Sequence, residues 1–291
     1  MIIVVITFMS DEASVNERNF LIKNFEKFEE IVFDDYGVFK LSKLFPSKNE
    51  IYLLTTDRKA VFYENIDVSI LEQTNIKPDL IIFATKHQSK SGIHSLSIHT
   101  QGNWNSADYG GKKREVGICP VAFLNKGYLK LKEVNERENL GYEVILECTH
   151  HGPYLETPSA FIEIGSDLES WTRKDAGKAI SETLLEILPN FKFELENPSL
   201  PIALGIGGLH HCPQFTKRIE RNEAYISHVM PKYIDSISLD SLEKAILNSI
   251  PKINLILFDW KGLGKNKAEI VTITNKLAEK FDLEIKRTSH F

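Results

Sequence analysis

The stretch YEVILECTHHGPYLETPSAFIEIG, residues 142–165, contains two short apolar runs joined by a polar loop. The runs Tyr142–Cys148 and Ala160–Ile164 have the length and composition of buried strands. Helical patterns, with apolar residues at three- and four-residue spacing, lie on either side at Pro120–Asn135 and Leu168–Leu188. This order of helix, strand, strand and helix indicates α/β layering.

The same alternation of strand and helix patterns extends over most of the 291 residues. It predicts an α/β fold with a mixed, largely parallel sheet and helices on both faces. We expect one α/β catalytic unit over residues 1–291, or two closely packed lobes. Ser166 and Glu169 predict a capping box at the start of the helix Leu168–Leu188. The other predicted elements are the strands Ile2–Phe8, Ile51–Thr55, Leu80–Ala84, Leu96–His99, Pro201–Gly205, Leu255–Phe258 and Leu283–Arg287 and the helices Val15–Phe28, Ser241–Asn248 and Lys267–Lys280.

Composition and charge restrict the class of protein. Hydrophobic residues at 42% and charged residues at 26% are typical of a globular chain and exclude a disordered one. With a net charge of −5, a nucleic-acid partner would have to bind a local basic face. The N-terminal run MIIVVITFM is too short to span a bilayer, so we expect a strand there and no membrane partner. Three cysteines without a CxxC pair fit reduced thiols, which favours a cytoplasmic location.

A local basic face is available in the turn-rich segment 86–114, which we expect to form a long loop around one short strand. The segment also contains Trp104 and Tyr109. Cations beside exposed aromatic side chains can bind phosphates and stack an unpaired base. The alternative interpretation is an ordinary solvated loop. The cations of this segment are Lys86, Lys90, Lys112, Lys113 and Arg114.

Histidines recur near the predicted strand ends, and their clustering is more informative than any one of them. His150 and His151 lie just before Gly152-Pro153. Neighbouring side chains on a strand point to opposite faces, so this pair shares a site only where the backbone turns. One interpretation makes one imidazole a metal ligand or general base and the other an orienting group or second ligand. The other interpretation is structural, with one ring packed under the sheet and its neighbour capping a carbonyl.

The stretch ALGIGGLHHCPQFT, residues 203–216, repeats this arrangement of strand, glycines and paired histidines. Its glycines can present amide groups to an anion, but a plain strand-to-helix turn is the favoured interpretation because neither a P-loop nor a complete GxGxxG is present. Since HExxH and paired CxxC are absent, we expect any zinc site to combine distant histidines with Glu147 or Glu163 at one edge of the sheet. The absence of GxSxG excludes a serine hydrolase of the elbow type. Cys148 and Cys212 have the pattern of buried thiols.

The segments KSGIHSLSIHTQGNW, ECTHHGPYLETPSAFIEIGS and ALGIGGLHHCPQFT resemble the archaeal and plant type of D-aminoacyl-tRNA deacylase over most of the chain. The resemblance implies hydrolysis of the ester between a D-amino acid and the 3′ end of tRNA, with zinc as cofactor. It also implies an α/β fold similar to peptidyl-tRNA hydrolases and phosphorylases. The rival hypotheses are a phosphorylase or peptidyl-tRNA hydrolase relative and a non-catalytic tRNA-binding protein.

The motifs and the basic loop together define the candidate site. We expect a monomer that binds the tRNA acceptor end carrying a D-amino acid. The catalytic candidates are His150, His151 and Glu163, and the candidate Zn²⁺ ligands are His87, His99, His150, His151 and His210. The substrate-binding candidates are Lys86, Ser91, Gly92, Asn103, Lys112, Lys113, Arg114, Gly207 and Gly208.

Overall fold

The computed structural model describes residues 1–90, 92–234 and 237–291. The strands are β1 Ile2–Phe8, β2 Phe25–Phe33, β3 Tyr36–Leu41, β4 Glu50–Thr56, β5 Leu80–Gln88, β6 Ser95–His99, β7 Cys119–Pro120, β8 Glu143–Leu146, β9 Ser159–Ser166, β10 Ile202–Ile206, β11 Tyr225–Met230, β12 Ser249–Ile250, β13 Leu255–Phe258 and β14 Glu284–Arg287. The helices are α1 Glu12–Leu21, α2 Ile66–Thr74, α3 Val121–Arg137, α4 Leu168–Thr172, α5 Lys174–Ile187, α6 Pro213–Glu220, α7 Leu239–Leu247 and α8 Lys267–Phe281.

The larger sheet has eight strands in the order β2-β3-β4-β1-β5-β9-β6-β8. Its centre, β4-β1-β5-β9, is parallel, whereas β6 runs antiparallel to β9 and β3 runs antiparallel to both of its neighbours. The second sheet, β11-β10-β13-β14, is parallel throughout. The expected α/β class with a mixed, largely parallel sheet is therefore confirmed.

Two apolar clusters cover the two faces of the large sheet, and the alternation of side chains along β5 connects them. Ile82 and Ala84 belong to the cluster that includes α3 and α5 residues, whereas Ile81 and Phe83 belong to the cluster under α2. Because both faces of β5 are buried, the sequence of this central strand is a nearly continuous apolar run. No helix within the described ranges has the length and apolar character needed to cross a bilayer.

The predicted helix Val15–Phe28 is wrong in its second half, because α1 ends at Leu21 and β2 begins at Phe25. The strand β2 forms the edge of the sheet and exposes most of its side chains, so its apolar residues do not alternate regularly. Pattern reasoning therefore missed both β2 and its hairpin partner β3. The short elements β7, β11, β12, α2 and α6 were also not predicted.

The predicted helix Leu168–Leu188 is interrupted at Arg173, which has extended backbone angles between α4 and α5. The side-chain amide of Asn16 on α1 donates to the carbonyl oxygens of Trp171, at 2.9 Å, and Arg173, at 2.7 Å. This long-range contact holds the break in place. The predicted capping box is also wrong, because Asp167 caps α4 by accepting from the Ser170 amide and Ser166 ends β9.

Candidate active site

The site begins where one apolar face of the large sheet becomes polar. In the register between β5 and β9, Thr85 lies beside Glu163, two residues beyond a stacked pair of phenylalanines, Phe83 and Phe161. The antiparallel strand β6 places His99 opposite Phe161, and their rings stack at 5.1 Å. Since alternate residues of a strand share a face, these polar groups all lie on the same side of the sheet. Thr85 and Glu163 lie in the later halves of β5 and β9, towards the carboxyl ends of these strands.

The segment after β8 brings the two adjacent histidines onto this face. His151 has a left-handed backbone with φ of 45°, and this turn lets its ring lie beside that of His150, with centroids 4.3 Å apart. The Gly102 amide donates to the His151 carbonyl at 2.8 Å and fixes the turn against the loop after β6. The turn required for the pair to share a site thus occurs at His151 itself, one residue earlier than Gly152.

Three imidazoles form the first group of potential ligands. The ring centroid of His99 lies 4.3 Å from that of His150 and 4.9 Å from that of His151. Each Nδ1–H can donate to a backbone carbonyl: His99 to Thr100 at 3.2 Å, His150 to Cys148 at 2.8 Å, and His151 to Gly152 at 2.6 Å. In that tautomer Nε2 keeps its lone pair, which is the arrangement found in histidine ligands of zinc. The potential ligand atoms of the three residues lie within 4.8 Å of one another.

A second group is centred on the buried carboxylate of Glu147. Its Oε2 accepts from His210 Nε2 at 2.6 Å, and its Oε1 lies 3.1 Å from His87 Nδ1. His210 Nδ1 lies 2.9 Å from the Tyr233 hydroxyl and 3.3 Å from the Cys148 sulfur. His87, Glu147 and His210 together offer three potential ligand atoms within 4.8 Å of one another.

The carboxylate of Glu163 lies between these groups. Thr85 donates its hydroxyl to Glu163 Oε1 at 2.7 Å, whereas Oε2 lies 3.5 Å from His99 Nε2 and 3.8 Å from His87 Nδ1. His99, Glu147 and Glu163 form a further set of potential ligands. The His99 Nε2 atom is buried and has no hydrogen-bond partner among the described residues. A buried nitrogen left without a partner beside two carboxylates fits a cation in this position.

The surroundings divide the histidines into two electrostatic classes. Burial, together with His151 and His99, holds the pKa of His150 well below its ordinary value, and burial lowers the pKa of His151 to about 4. Burial also acts to lower the pKa of His210, but the contacts with Cys148 and Glu147 outweigh it and raise this pKa to about 10. At neutral pH, His150 and His151 are therefore unprotonated and can bind a cation or accept a proton.

A cavity of about 1130 Å³ opens onto this cluster. It is large enough for a terminal nucleotide with its amino acid. Its floor includes five residues of the cluster, namely His87, His150, His151, Glu163 and His210. Its walls and mouth include Lys59, Val61, Lys86, Lys90, Asn103, Trp104, Asp108, Tyr109, Trp171 and Tyr233.

The cations predicted to bind substrate fall into two sets. Lys86 lies at the cavity wall, where its ammonium group is 2.8 Å from a Glu12 carboxylate oxygen and 4.6 Å from the centroid of the Trp171 ring. Lys112 extends over the Tyr154 ring at 3.7 Å. The exposed run Lys112, Lys113 and Arg114 lies outside the cavity lining, in the same loop as Tyr109.

The remaining predicted residues have mainly structural contacts. Asn103 donates its side-chain amide to the Gly110 carbonyl at 2.8 Å and stabilises the loop at the cavity mouth. Gly92 is exposed and has a φ of 66°, and the prediction for Ser91 lies outside the described residues. The amides of Gly207 and Gly208 donate to backbone carbonyls, so they are not free to bind an anion. The strand-to-helix turn is thus the interpretation that the structure supports here.

Trp104 was expected to be exposed, and this expectation is wrong. Its side chain is only 3% exposed, and its indole N–H donates to the Thr149 carbonyl at 2.9 Å. Sequence reasoning also missed Thr85 and Tyr233. The position of Thr85 directly after a predicted apolar strand was a usable signal, whereas nothing in the local sequence distinguishes Tyr233.

Comparison with known proteins identifies the class to which this fold and site belong. A family model described as D-aminoacyl-tRNA deacylase matches residues 74–285. The D-aminoacyl-tRNA deacylase of Thermococcus kodakarensis is 38% identical over 286 residues, covering 98% of this chain and 99% of that protein. The enzyme of the same name from Pyrococcus abyssi is 38% identical over 283 residues, covering 97% and 98%. A crystal structure of a conserved protein of unknown function superposes with a TM-score of 0.83 at 26% identity, covering 100% of this chain and 96% of that one.

The chain belongs to the D-aminoacyl-tRNA deacylase family.

Proposed function

We propose that this protein hydrolyses the ester bond between a D-amino acid and the 3′ end of tRNA, releasing the free amino acid and the tRNA. The observation that carries the proposal is the cluster of His99, His150 and His151, of which His150 and His151 lie on the floor of a cavity that can hold an aminoacylated nucleotide. An aminoacyl ester is already activated, so the enzyme mainly needs a positioned water and a group that stabilises the developing oxyanion.

We further propose that zinc is the cofactor, because imidazole and carboxylate are the ligands that zinc prefers. The residues that would hold it are His99, Glu163 and one imidazole of the pair His150 and His151, and His87 with His210 and Glu147 offers a second set. When bound, zinc supplies Lewis-acid chemistry, which lowers the pKa of a coordinated water and polarises a carbonyl group. The Nε2 atom of His99, which is buried and accepts no hydrogen bond from any residue that the structure describes, is the feature that fits such an ion.

The residues of the chain supply the remaining steps. Of the pair His150 and His151, we assign one imidazole as a metal ligand and the other as the acceptor of the proton from the attacking water, and both roles require the neutral imidazole that burial favours. Glu163, aligned by the hydroxyl of Thr85, restrains the position of the His99 ring. The shape of the cavity then selects between D- and L-esters, because only one configuration directs the carbonyl carbon towards the histidines.

The surroundings of the cavity suit RNA. The overall charge is −5, but the loop that forms the cavity mouth carries Lys112, Lys113 and Arg114 on its exposed side. We propose that these cations contact phosphates of the acceptor stem and that a monomer suffices, since one chain provides every residue of the cavity described above. The three free thiols, Cys119, Cys148 and Cys212, fit a reducing cytoplasm.

The test compares release of D-tyrosine from D-tyrosyl-tRNA with release of L-tyrosine from the L-ester. We expect the D-ester to be hydrolysed much faster, and equal rates would contradict the proposal. Zinc analysis of the purified protein, with assays before and after chelation, tests the cofactor. If the protein keeps its full deacylation rate after chelation, the reaction does not require zinc. Tight tRNA binding without turnover would favour a non-catalytic role, and phosphorolysis of nucleosides would favour a phosphorylase.

A further inference from the structure

Tyr109 at the mouth of the cavity and Phe62 beside it are two exposed aromatic side chains that the mechanism above does not use. Tyr109 lines the cavity and is 71% exposed, and Phe62, in the loop after β4, is 54% exposed. The two loops pack against each other through Gly110, where any side chain would overlap the carbonyl oxygen of Val61 and approach the Phe62 ring. The left-handed φ of 72° at Gly110 also favours glycine. The two aromatic residues therefore lie on one continuous rim.

Single exposed aromatic residues are common on proteins, so exposure alone implies no function. What distinguishes this pair is how firmly its backbone is held. The Glu64 carboxylate accepts from the Gly111 amide at 2.5 Å and from the Tyr154 amide at 2.7 Å. The Glu64 carboxylate thus connects the loop after Tyr109 with the segment after the paired histidines. The backbone of the rim is thus fixed, and the two aromatic side chains project from it.

The same backbone contacts place the rim at a set distance from the reacting groups. The Gly152 amide donates to the Tyr109 carbonyl at 2.9 Å, and the Gly152 carbonyl accepts from His151 Nδ1 at 2.6 Å. A single residue thus connects the backbone of Tyr109 with the ring of a candidate catalytic histidine. A ligand that stacks on Tyr109 would therefore have its position fixed relative to the floor of the cavity.

A cation lies at the same mouth. Lys59 lines the cavity, is exposed, and forms no ion pair with any residue that the structure describes. An aromatic face beside a free ammonium group is the combination that binds a nucleotide, because the base stacks while the phosphate pairs with the cation.

We propose that Tyr109 and Phe62 form a stacking platform for the terminal adenine base of tRNA, with Lys59 contacting an adjacent phosphate. This inference rests on the proposed function, since it assigns the substrate end of the same cavity. Tyr109 is a positioning residue here and takes no part in the proton transfers. The platform is insensitive to the attached amino acid, because it contacts only the nucleotide shared by all tRNAs.

The test measures binding of uncharged tRNA with and without its 3′-terminal adenosine, so it requires no turnover. For the wild-type protein, removal of the adenosine is expected to weaken binding roughly 10-fold, the scale of one base stacked on an aromatic ring. Tyr109→Leu should weaken binding of intact tRNA by a similar factor and leave binding of the shortened tRNA unchanged. Tyr109→Phe keeps the ring and should bind both forms as the wild type does.

Leu44→Ala serves as the matched control, because Leu44 is 92% exposed in the loop before β4, at the opposite end of that strand from Phe62. It should affect neither tRNA. Equal weakening of both tRNAs by Tyr109→Leu, no weakening of either, or no tRNA binding by the wild type would overturn the platform. Turnover of D-tyrosyl-tRNA is assayed separately. If the protein hydrolyses D-tyrosyl-tRNA but binds tRNA with and without the terminal adenosine equally well, the platform alone is refuted. If it binds intact tRNA more tightly than the shortened tRNA but does not hydrolyse the ester, the proposed reaction alone is refuted.

Discussion

A buried histidine outside the candidate active site should make the stability of this protein depend on pH. His228 on β11 is fully buried; its Nε2–H donates to the Asn248 carbonyl at 3.1 Å, and its Nδ1 accepts the Thr149 hydroxyl proton at 3.1 Å. The Thr149 oxygen in turn accepts from the Val229 amide at 3.1 Å. The neutral imidazole satisfies every donor and acceptor of this chain. Protonation of Nδ1 would place a charge in a fully buried position, beside Thr149.

Burial lowers the pKa of His228 to about 4, against about 6.5 in the unfolded chain. As pH falls below 6.5, the unfolded chain takes up a proton that the folded chain does not, so the free energy of unfolding decreases. One pKa unit corresponds to about 1.4 kcal/mol. His228 alone should therefore lower the free energy of unfolding by about 2 kcal/mol between pH 7 and pH 5. The loss should level off at roughly 3 kcal/mol below pH 4.

The assay is urea unfolding at pH 7 and pH 5 for the wild type and for His228→Gln, whose amide can still donate and accept but cannot take up a proton. The difference in unfolding free energy between the two pH values should be about 2 kcal/mol smaller in the variant. His290→Gln, at an exposed histidine, should leave the difference as in the wild type. If His228→Gln and the wild type lose the same stability between pH 7 and pH 5, the assigned protonation of His228 is refuted.

Two further outcomes concern the proposed reaction. His150→Ala and His151→Ala should each reduce the deacylation rate by about 100-fold or more with an unchanged circular dichroism spectrum, because each removes a metal ligand or proton acceptor; near-normal rates in both would make the pair structural. Replacing Lys112, Lys113 and Arg114 together by Gln should raise KM for tRNA with little change in kcat. The slope of the logarithm of the binding constant against the logarithm of the salt concentration should also become shallower, by about one unit for each phosphate that the variant no longer binds. An unchanged salt slope would assign the run to ordinary solvated surface.

A double variant, Lys43→Gln with Lys48→Gln, is the matched control for the basic run. Both residues are exposed in the loop before β4, where the Lys48 amide donates to the Pro189 carbonyl. This loop lies beside the start of β1, whereas the histidines lie beyond the later half of β5. We therefore expect the double variant to leave both the KM for tRNA and the salt dependence of tRNA binding unchanged.

Local sequence patterns were sufficient for the class of fold. All nine predicted strands are present, because a short apolar run bounded by turn residues is a local property of the chain. The same reasoning failed at β2 and β3, a hairpin at the sheet edge in which most side chains are partly or fully exposed and no continuous apolar run remains. It also failed at the break between α4 and α5, where Asn16, far away in the sequence, supplies the deciding hydrogen bonds.

The histidine motifs were visible in the sequence, and all five candidate ligands lie in one cluster. Alternation along β5 and β9 determines that Thr85 and His87 share a face and that Phe161 and Glu163 share one. It does not determine which strands are neighbours. Only the pairing of β9 with β5 on one side and with the antiparallel β6 on the other puts His99 beside Glu163. Register between distant strands depends on contacts across the whole sheet, so the position of the site on the sheet face was decided by tertiary structure.

The sequence by itself thus determined the class of fold, the residue types available for the site and the resemblance to a family. The tertiary structure decided the central role of Glu147, which contacts His87 and His210 from widely separated segments, and the burial that keeps His150 and His151 neutral. It also decided that Trp104 is buried while Tyr109 is exposed, although both belong to one polar loop. Hydrogen-bond partners and desolvation depend on which segments pack together, and local sequence carries no direct record of that packing.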